Sequence, residues 1–253
     1  MAEGTPDARP FAGHDGPVLC VAFSPDGTTL ATGGGDGAVR LWNPDTGQQA
    51  DVLTMPDGPD HLPAAVAAAY SPDGGTLAIS SDDATLWLWN TVDTSVLRTY
   101  STPTGYVRGL AYSPDGTTLA TGDGGGVVRL WNLDTDRRVA EEAELARHSS
   151  TVNAVAYSPD GSMLASGARS VRIWNLADQS QITQLTAHSH DINDAAWSPD
   201  GSMLATAAGG VRVWDAATWH QVAKLTGHGS FVGACAWSPG GTTLATASRV
   251  GTI

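Results

Sequence analysis

One tetrapeptide governs what this chain can become: Ser-Pro-Asp-Gly begins at Ser24, Ser71, Ser113, Ser158 and Ser198, and Ser-Pro-Gly-Gly at Ser238. An aromatic residue stands before every copy, at Phe23, Tyr70, Tyr112, Tyr157, Trp197 and Trp237, so the period runs 47, 42, 45, 40 and 40 residues. Self-similarity at that spacing marks a repeat architecture, in which each unit is one supersecondary element stacked on its neighbours. Within a copy, Pro presets φ for a type I turn and Gly absorbs the conformation that follows, so a hairpin must form there. Before it run short apolar stretches such as Val18-Leu19-Cys20-Val21-Ala22-Phe23 and Val152-Asn153-Ala154-Val155-Ala156-Tyr157. These are too short for a typical helix and apolar enough to be strands buried on both faces. After it come Thr29-Leu30-Ala31-Thr32 and Val39-Arg40-Leu41-Trp42, then a polar turn and a weaker fourth strand ending at residues such as Leu185 and Leu225. The chain is therefore expected to be all-β, with four strands per repeat. A single such sheet cannot bury both faces, whereas copies stacked radially bury one another and leave only short edges, which is a β-propeller.

Gly13-His14, the Ser-Pro-Asp-Gly turn, Leu30-Ala31-Thr32-Gly33, Asp36-Gly37 and Val39-Arg40-Leu41-Trp42-Asn43 together resemble the WD40 repeat. Trp-Asn closes the repeat at Trp42, Trp89, Trp131 and Trp174, and Trp-Asp closes it at Trp214. The resemblance implies a WD40-type β-propeller of four-stranded blades, with five full repeats and a truncated sixth, over residues 9–253. Residues 1–8 are expected to form a flexible N-terminal tail. Ile253 aligns with Val39, three positions before Trp42, so the sixth blade reads as incomplete at the C-terminus. Phe11 stands three residues before His14, as Leu145, Leu185 and Leu225 stand before their repeat positions, so it reads as an outer strand without a blade of its own. In WD40 propellers such a strand usually closes the ring; here its third-strand partner is missing. Truncation of a longer chain is the preferred explanation, with filling by another chain as the alternative. Unpaired edges on an apolar sheet also predict self-association through the open propeller end.

In the first repeat His14, Thr32, Asp36 and Trp42 occupy the positions of a hydrogen-bonded tetrad found in WD40 propellers. It imitates a hydrolase triad, but the structural reading is preferred, because a nucleophile also needs substrate access and an oxyanion site. Repeat two keeps His61, Asp83 and Trp89 but has Ile79 for the hydroxyl, and repeat three keeps Thr121 and Trp131 but has Pro103 and Gly125. Repeats four and five keep His148, Ser166, Trp174 and His188, Thr206, Trp214 in a shorter turn that lacks the Asp; repeat six keeps His228 and Thr246, with Val250 at the Asp position. Only the first repeat is expected to form the whole network, leaving the later blades less rigid.

By the resemblance, residues three and five after the repeat His, and the one before the turn Asp, line the top face. They are Pro17, Leu19 and Gly35; Ala64, Val66 and Asp82; Tyr106, Arg108 and Gly124; Thr151 and Asn153; Asp191 and Asn193; Phe231 and Gly233. Leu19, Tyr106, Arg108 and Phe231 are the candidate partner-binding residues, since aromatic, apolar and Arg side chains anchor interfaces. Trp87 stands where the first, third, fourth and fifth repeats have Arg40, Arg129, Arg172 and Arg212, as a second contact point or a packing change. The Met55-Pro56-Asp57-Gly58-Pro59-Asp60 insertion is expected to be an exposed loop. Glu141, Glu142 and Glu144 read as a solvated outer strand, and Cys20 and Cys235 as small core residues.

Other chemistry is weakly represented. His188, His190 and Asp191 have metal-compatible spacing, but His188 is already the repeat histidine, so no metal is expected. The glycines at Gly33 to Gly35 and Gly122 to Gly126 fall in strand turns and form no phosphate loop, and no cofactor is expected. With 26 acidic and 13 basic residues the net charge is −13, and Lys224 is the only lysine, which argues against nucleic acid and an anionic membrane surface. No apolar run approaches the ~18 residues of a spanning helix. The N-terminus lacks the features of a secretory signal, and two cysteines make no disulfide framework, so a cytoplasmic location is expected. The functional expectation is a non-catalytic scaffold for protein partners. The alternative is the sensor or recognition domain of a larger signalling polypeptide, such as a kinase, nucleotide-switch or protease chain.

Overall fold

The Ser-Pro-x-Gly turns set the architecture. In each, the Ser carbonyl accepts the Gly N–H at 2.8–2.9 Å, and Gly27, Gly74, Gly116, Gly161, Gly201 and Gly241 take φ between 68° and 75°. That left-handed conformation costs glycine little and other residues more. In the Asp-containing copies the Ser hydroxyl donates to the Asp two residues on, as Ser24 Oγ does to Asp26 Oδ1 at 2.6 Å.

The structure is a computed structural model and describes residues 10–55, 63–133, 141–145, 147–248 and 250–251. The N-terminal tail expected over residues 1–8 lies outside that set, as do His61 and most of the 55–60 insertion. Blade one comprises β1 (Val18–Phe23), β2 (Leu30–Gly34), β3 (Ala38–Trp42) and β4 (Gln49–Thr54). Blade two comprises β5 (Ala65–Tyr70), β6 (Thr76–Ser81), β7 (Thr85–Asn90) and β8 (Val96–Ser101). Blade three comprises β9 (Val107–Tyr112), β10 (Thr118–Asp123), β11 (Val128–Asn132) and β12 (Glu141–Leu145). Blade four comprises β13 (Ala154–Tyr157), β14 (Met163–Gly167), β15 (Val171–Asn175) and β16 (Gln181–Leu185). Blade five comprises β17 (Asp194–Trp197), β18 (Met203–Ala207), β19 (Val211–Asp215) and β20 (Gln221–Leu225). The sixth sheet has two strands, β21 (Val232–Trp237) and β22 (Leu244–Ser248). All pairings are antiparallel between consecutive strands, and the described residues contain no helix.

The first strands form the inner ring: β5 packs on β1, β9 on β5, β13 on β9, β17 on β13 and β21 on β17. The apolar core is correspondingly divided, with one cluster at each seam. Val39, Met55 and Ile79 belong to the first, Leu86, Leu119 and Trp131 to the second, and Val128, Val152 and Trp174 to the third. Ile173, Ile192 and Trp214 belong to the fourth, and Val211, Val232 and Cys235 to the fifth. This is how sheets that cannot bury two faces alone acquire a core.

Two local expectations need correction. Met55 does not join an exposed loop: its side chain is fully buried at the seam of blades one and two. The half-buried Trp87 packs on the same cluster, so an apolar ring in place of the repeat Arg goes with a packing change rather than a separate contact point. Phe11 meets Trp42 edge-on, with ring centroids 5.6 Å apart, but residues 10–14 form no strand, so the described part of the N-terminus does not close the ring.

Candidate functional site

The residues that imitate a catalytic site come together in blade one. Strand β3 brings Trp42 to β2, where its indole N–H donates to Thr32 Oγ1 at 2.8 Å. The Thr32 hydroxyl meets His14 Nε2 at 2.7 Å, and His14 Nδ1 donates to Asp36 at 2.9 Å. Burial opposes ionisation of Asp36, but hydrogen bonds from His14 and the backbone N–H groups of Asp15 and Ala38 hold its pKa at about 2. Each polar group is thus occupied by the next, and the Thr32 hydroxyl, the Ser/Thr-type nucleophile of the set, is buried. Gly34 is required beside this network, because a Cβ there would collide with the Asp36 carboxylate and the His14 ring.

Blades four and five run the same chain without the Asp. Trp174 donates to Ser166 at 2.8 Å, and Ser166 meets His148 Nε2 at 2.7 Å. The corresponding Trp214, Thr206 and His188 distances are 2.9 and 2.8 Å. Burial, and then the neighbouring Arg172 and Arg212, lower the pKa of His148 and His188 to about 4, so both imidazoles are neutral acceptors at pH 7. In blade two Ile79 offers no hydroxyl, and the Trp89 N–H has no hydrogen-bond partner among the described residues.

Blade three overturns the expectation of a merely incomplete network. Trp131 still donates to Thr121 at 2.9 Å. Lacking the bulk of a His and a turn Asp, this blade carries Asp123 in the slot that Gly34 must leave empty in blade one. The buried Asp123 carboxylate takes the Thr104 hydroxyl, the backbone N–H groups of Gly125 and Val127 at 2.9 and 3.0 Å, and the guanidinium of the fully buried Arg129. Arg129 continues to Glu144 Oε1 at 2.9 Å, so Glu144 caps a buried cation rather than only decorating a solvated strand. Pairing and hydrogen bonding are what make such burial tolerable.

Catalytic chemistry finds no support in the thiols: burial pushes Cys20 up to about 12 and raises Cys235 well above its ordinary value. Neither is a thiolate nucleophile at neutral pH. Among the described residues no group of three or more His, Cys, Asp or Glu side chains could hold a metal ion.

A concave site does form at the end of the inner strands opposite the Ser-Pro-x-Gly turns. Leu19, Ala64, Val66, Asp82, Tyr106, Arg108, Asn153, Asn193 and Gly233 line a cavity of about 480 Å³ to which all six repeats contribute. Three other cavities repeat one another at successive seams, each beside a Ser-Pro-Asp-Gly turn and the aromatic that precedes the next, so they are products of blade stacking. The axial cavity instead takes lining residues from every repeat. The Arg108 guanidinium lies 5.1 Å from the centre of the Tyr106 ring, a cation–π contact that holds it. Asp82 Oδ1 accepts the Ala64 N–H at 2.9 Å. Asn153 and Asn193 each donate Nδ2 to the next repeat, to Ile192 O at 2.9 Å and Val232 O at 2.8 Å, which leaves Oδ1 as an acceptor. Of the four candidate binding residues, Leu19, Tyr106 and Arg108 meet here. Phe231 does not line the cavity; its ring packs edge-on against His190, centroids 4.9 Å apart.

Comparison with known proteins agrees with this architecture. The family model for "WD domain, G-beta repeat" matches residues 6–43, 58–90, 94–132, 141–175, 179–215 and 219–253. A ribosome biogenesis protein erb1 from Botryotinia fuckeliana is 59% identical over 39 residues, 15% of this chain and 5% of that protein. A guanine nucleotide-binding protein subunit beta from Nicotiana tabacum is 44% identical over 55 residues, 22% of this chain and 15% of that protein. These matches span only a small part of either relative. A chain in a crystal structure of the mitotic checkpoint complex superposes with a TM-score of 0.84 at 21% identity, over 95% of this chain and 77% of that one. At that identity the likeness establishes the fold alone.

Proposed function

This chain belongs to the WD40-repeat family, and from that premise we propose that it is a non-catalytic scaffold that binds protein partners through the axial cavity of its top face. The single observation that carries the reading is the convergence of Leu19, Tyr106 and Arg108, from the first and third repeats, on one cavity to which all six repeats contribute. A few convergent polar groups in an otherwise apolar concavity are the common form of a binding site. Arg108 is exposed and pre-oriented over Tyr106, so it suits an acidic side chain of the partner, while Leu19, Ala64 and Val66 give apolar surface and Asn153 and Asn193 accept hydrogen bonds. The His-hydroxyl-Trp networks brace the blades and do no chemistry. The similarity to a ribosome biogenesis protein and to a guanine nucleotide-binding protein subunit beta supports a partner-binding role without naming the partner. Two reduced thiols fit the cytoplasmic location we also propose.

The test places a photo-crosslinking amino acid at position 106 and, separately, at position 179 beside the opposite turns, in cells of the source organism. Crosslinks to the same protein from position 106, lost on Arg108→Ala, support the reading. Crosslinking from position 179 alone would move the binding face to the other end.

A further inference from the structure

The axial cavity carries two charged side chains that the blades do not need. Asp82 and Arg108 come from the second and third repeats and are both exposed. Asp82 stands where the first and third repeats have Gly35 and Gly124. All three make the same main-chain hydrogen bond: Gly35 N donates to Pro17 O at 2.9 Å, Asp82 N to Ala64 O at 3.1 Å and Gly124 N to Tyr106 O at 3.0 Å. The turn therefore forms without a carboxylate. Arg108 stands where the fourth and fifth repeats have Asn153 and Asn193. Those two carboxamides clamp the following repeat through the Ile192 and Val232 carbonyls, whereas the Arg108 guanidinium lies over the Tyr106 ring of its own repeat. Although they line one cavity from adjacent blades, Arg108 and Asp82 form no ion pair with each other among the described residues. All four polar side chains belong to repeats two to five, so none depends on either end of the chain.

We propose, on the reading of this cavity as the partner site, that its occupant is an extended, unphosphorylated segment of a partner polypeptide carrying one acidic and one basic side chain. The acidic side chain takes Arg108, the basic one takes Asp82, and main-chain N–H groups of the segment take the Oδ1 atoms of Asn153 and Asn193. Each assignment follows from what the group can accept or donate. A guanidinium presents its N–H groups as a planar fork that a carboxylate matches with two parallel bonds, and the Tyr106 ring holds that fork in place before the partner arrives. An ionised carboxylate only accepts, so Asp82 selects a donor, and a cationic donor also balances its charge. Ala64 and Val66, from the same repeat as Asp82, give apolar surface for the stem of a Lys or Arg. With Nδ2 already engaged, the two carboxamides offer neutral acceptors, which suit backbone N–H groups. A phosphorylated side chain brings about two negative charges. Against these the cavity sets one cation, with Asp82 beside it, in a chain of net charge −13. That balance favours a monoanion accompanied by a cation.

The probe is a phage-displayed library of random heptapeptides selected on the 253-residue protein, followed by fluorescence anisotropy with synthetic copies of the enriched peptides. The expected peptides contain one Asp or Glu and one Lys or Arg, bind one to one, and crosslink from a photo-reactive residue at position 66 in the cavity. Arg108→Gln and Asp82→Asn should each weaken them about tenfold or more. Both side chains are exposed, and the second substitution keeps an oxygen for the Ala64 N–H, so the fold is retained. Exchanging the acidic residue of the peptide for phosphoserine should also weaken binding, and Arg108→Glu combined with Asp82→Arg should prefer peptides whose acidic and basic residues have changed places. Peptides that crosslink from position 66 but carry charge of one sign, ignore both substitutions, or bind as tightly with phosphoserine overturn the proposal and leave the cavity as the partner site. No enriched peptide, or crosslinking only from position 179 beside the opposite turns, overturns both.

Discussion

Replacing Asp123 by alanine removes a fully buried carboxylate that pairs with the fully buried Arg129. Glu144 remains, but its side chain is 51% exposed and it reaches only the far nitrogen of the guanidinium. Removing one member of a buried pair leaves an uncompensated charge and costs about 3–5 kcal/mol. In a chain of this size about 1 kcal/mol shifts the melting temperature by about 2–4 °C, so Asp123→Ala should melt roughly 10 °C below the parent. Adding Arg129→Met keeps most of the apolar stem and removes the stranded charge. The double variant, although it still leaves the Gly125 and Val127 N–H groups without their carboxylate, should therefore regain about 2 kcal/mol over Asp123→Ala alone. Differential scanning fluorimetry of the parent, both single variants and the double variant gives the coupling. If Asp123→Ala loses less than about 1 kcal/mol, or the double variant is no more stable than that single one, the buried pair does not organise blade three.

Four further outcomes follow from the buried polar groups. His148 and His188 have folded pKa values of about 4, below the ordinary value of 6.5, so their contribution is complete above pH 6.5 and is lost as pH falls towards 4. Allowing for partial solvent exposure, each should cost roughly 1 kcal/mol between pH 7 and pH 5, and His148→Gln with His188→Gln should flatten the melting temperature over that range. Asp194 works in the opposite direction: burial raises it to about 6, so its contribution is present in acid and lost as pH rises through 6, and Asp194→Asn should raise the melting temperature at pH 7.5 but not at pH 3.5. Gly34→Ala should lower stability by about 1–3 kcal/mol in thermal melts, because its Cβ meets His14 and Asp36 inside a packed network. Trp174→Phe should cost about 1 kcal/mol more than Trp89→Phe by chemical denaturation, since of the two indoles only that of Trp174 has a partner among the described residues.

The parts of the fold written in local chemistry were legible in the sequence. Pro and Gly fix the turn at Ser24-Pro25-Asp26-Gly27 from within four residues, and the strand between Thr118 and Asp123 announces itself by being apolar next to such a turn. Counting from the repeat His also reached Leu19, Tyr106 and Arg108, because blades of one geometry bring equal offsets to the same end of the ring. What slot-by-slot comparison missed was compensation from another slot. Pro103 and Gly125 look like lost residues, but their loss opens the space that Asp123 uses, and the sequence signal was a charged residue where the other repeats have only Gly34, Ser81, Ala168, Ala208 and Ser248. Met55 was misread because its polar neighbours dominate the composition of the insertion, whereas burial is decided by the one side chain that reaches the seam. Phe231 holds the same offset as Tyr106, yet His190 offers its ring a partner away from the cavity.

The central claim is that the axial cavity binds a partner while the internal networks only brace the blades. The most direct measurement is the affinity of the partner captured at position 106 for the parent and for Arg108→Glu, by isothermal titration calorimetry, with melting temperatures recorded alongside. Arg108 is exposed and rests on the Tyr106 ring, so the melting temperature should stay within about 1 °C of the parent. Affinity should fall at least about 100-fold, because reversing an interfacial charge turns attraction into repulsion. Unchanged affinity in a protein of unchanged stability would contradict the account.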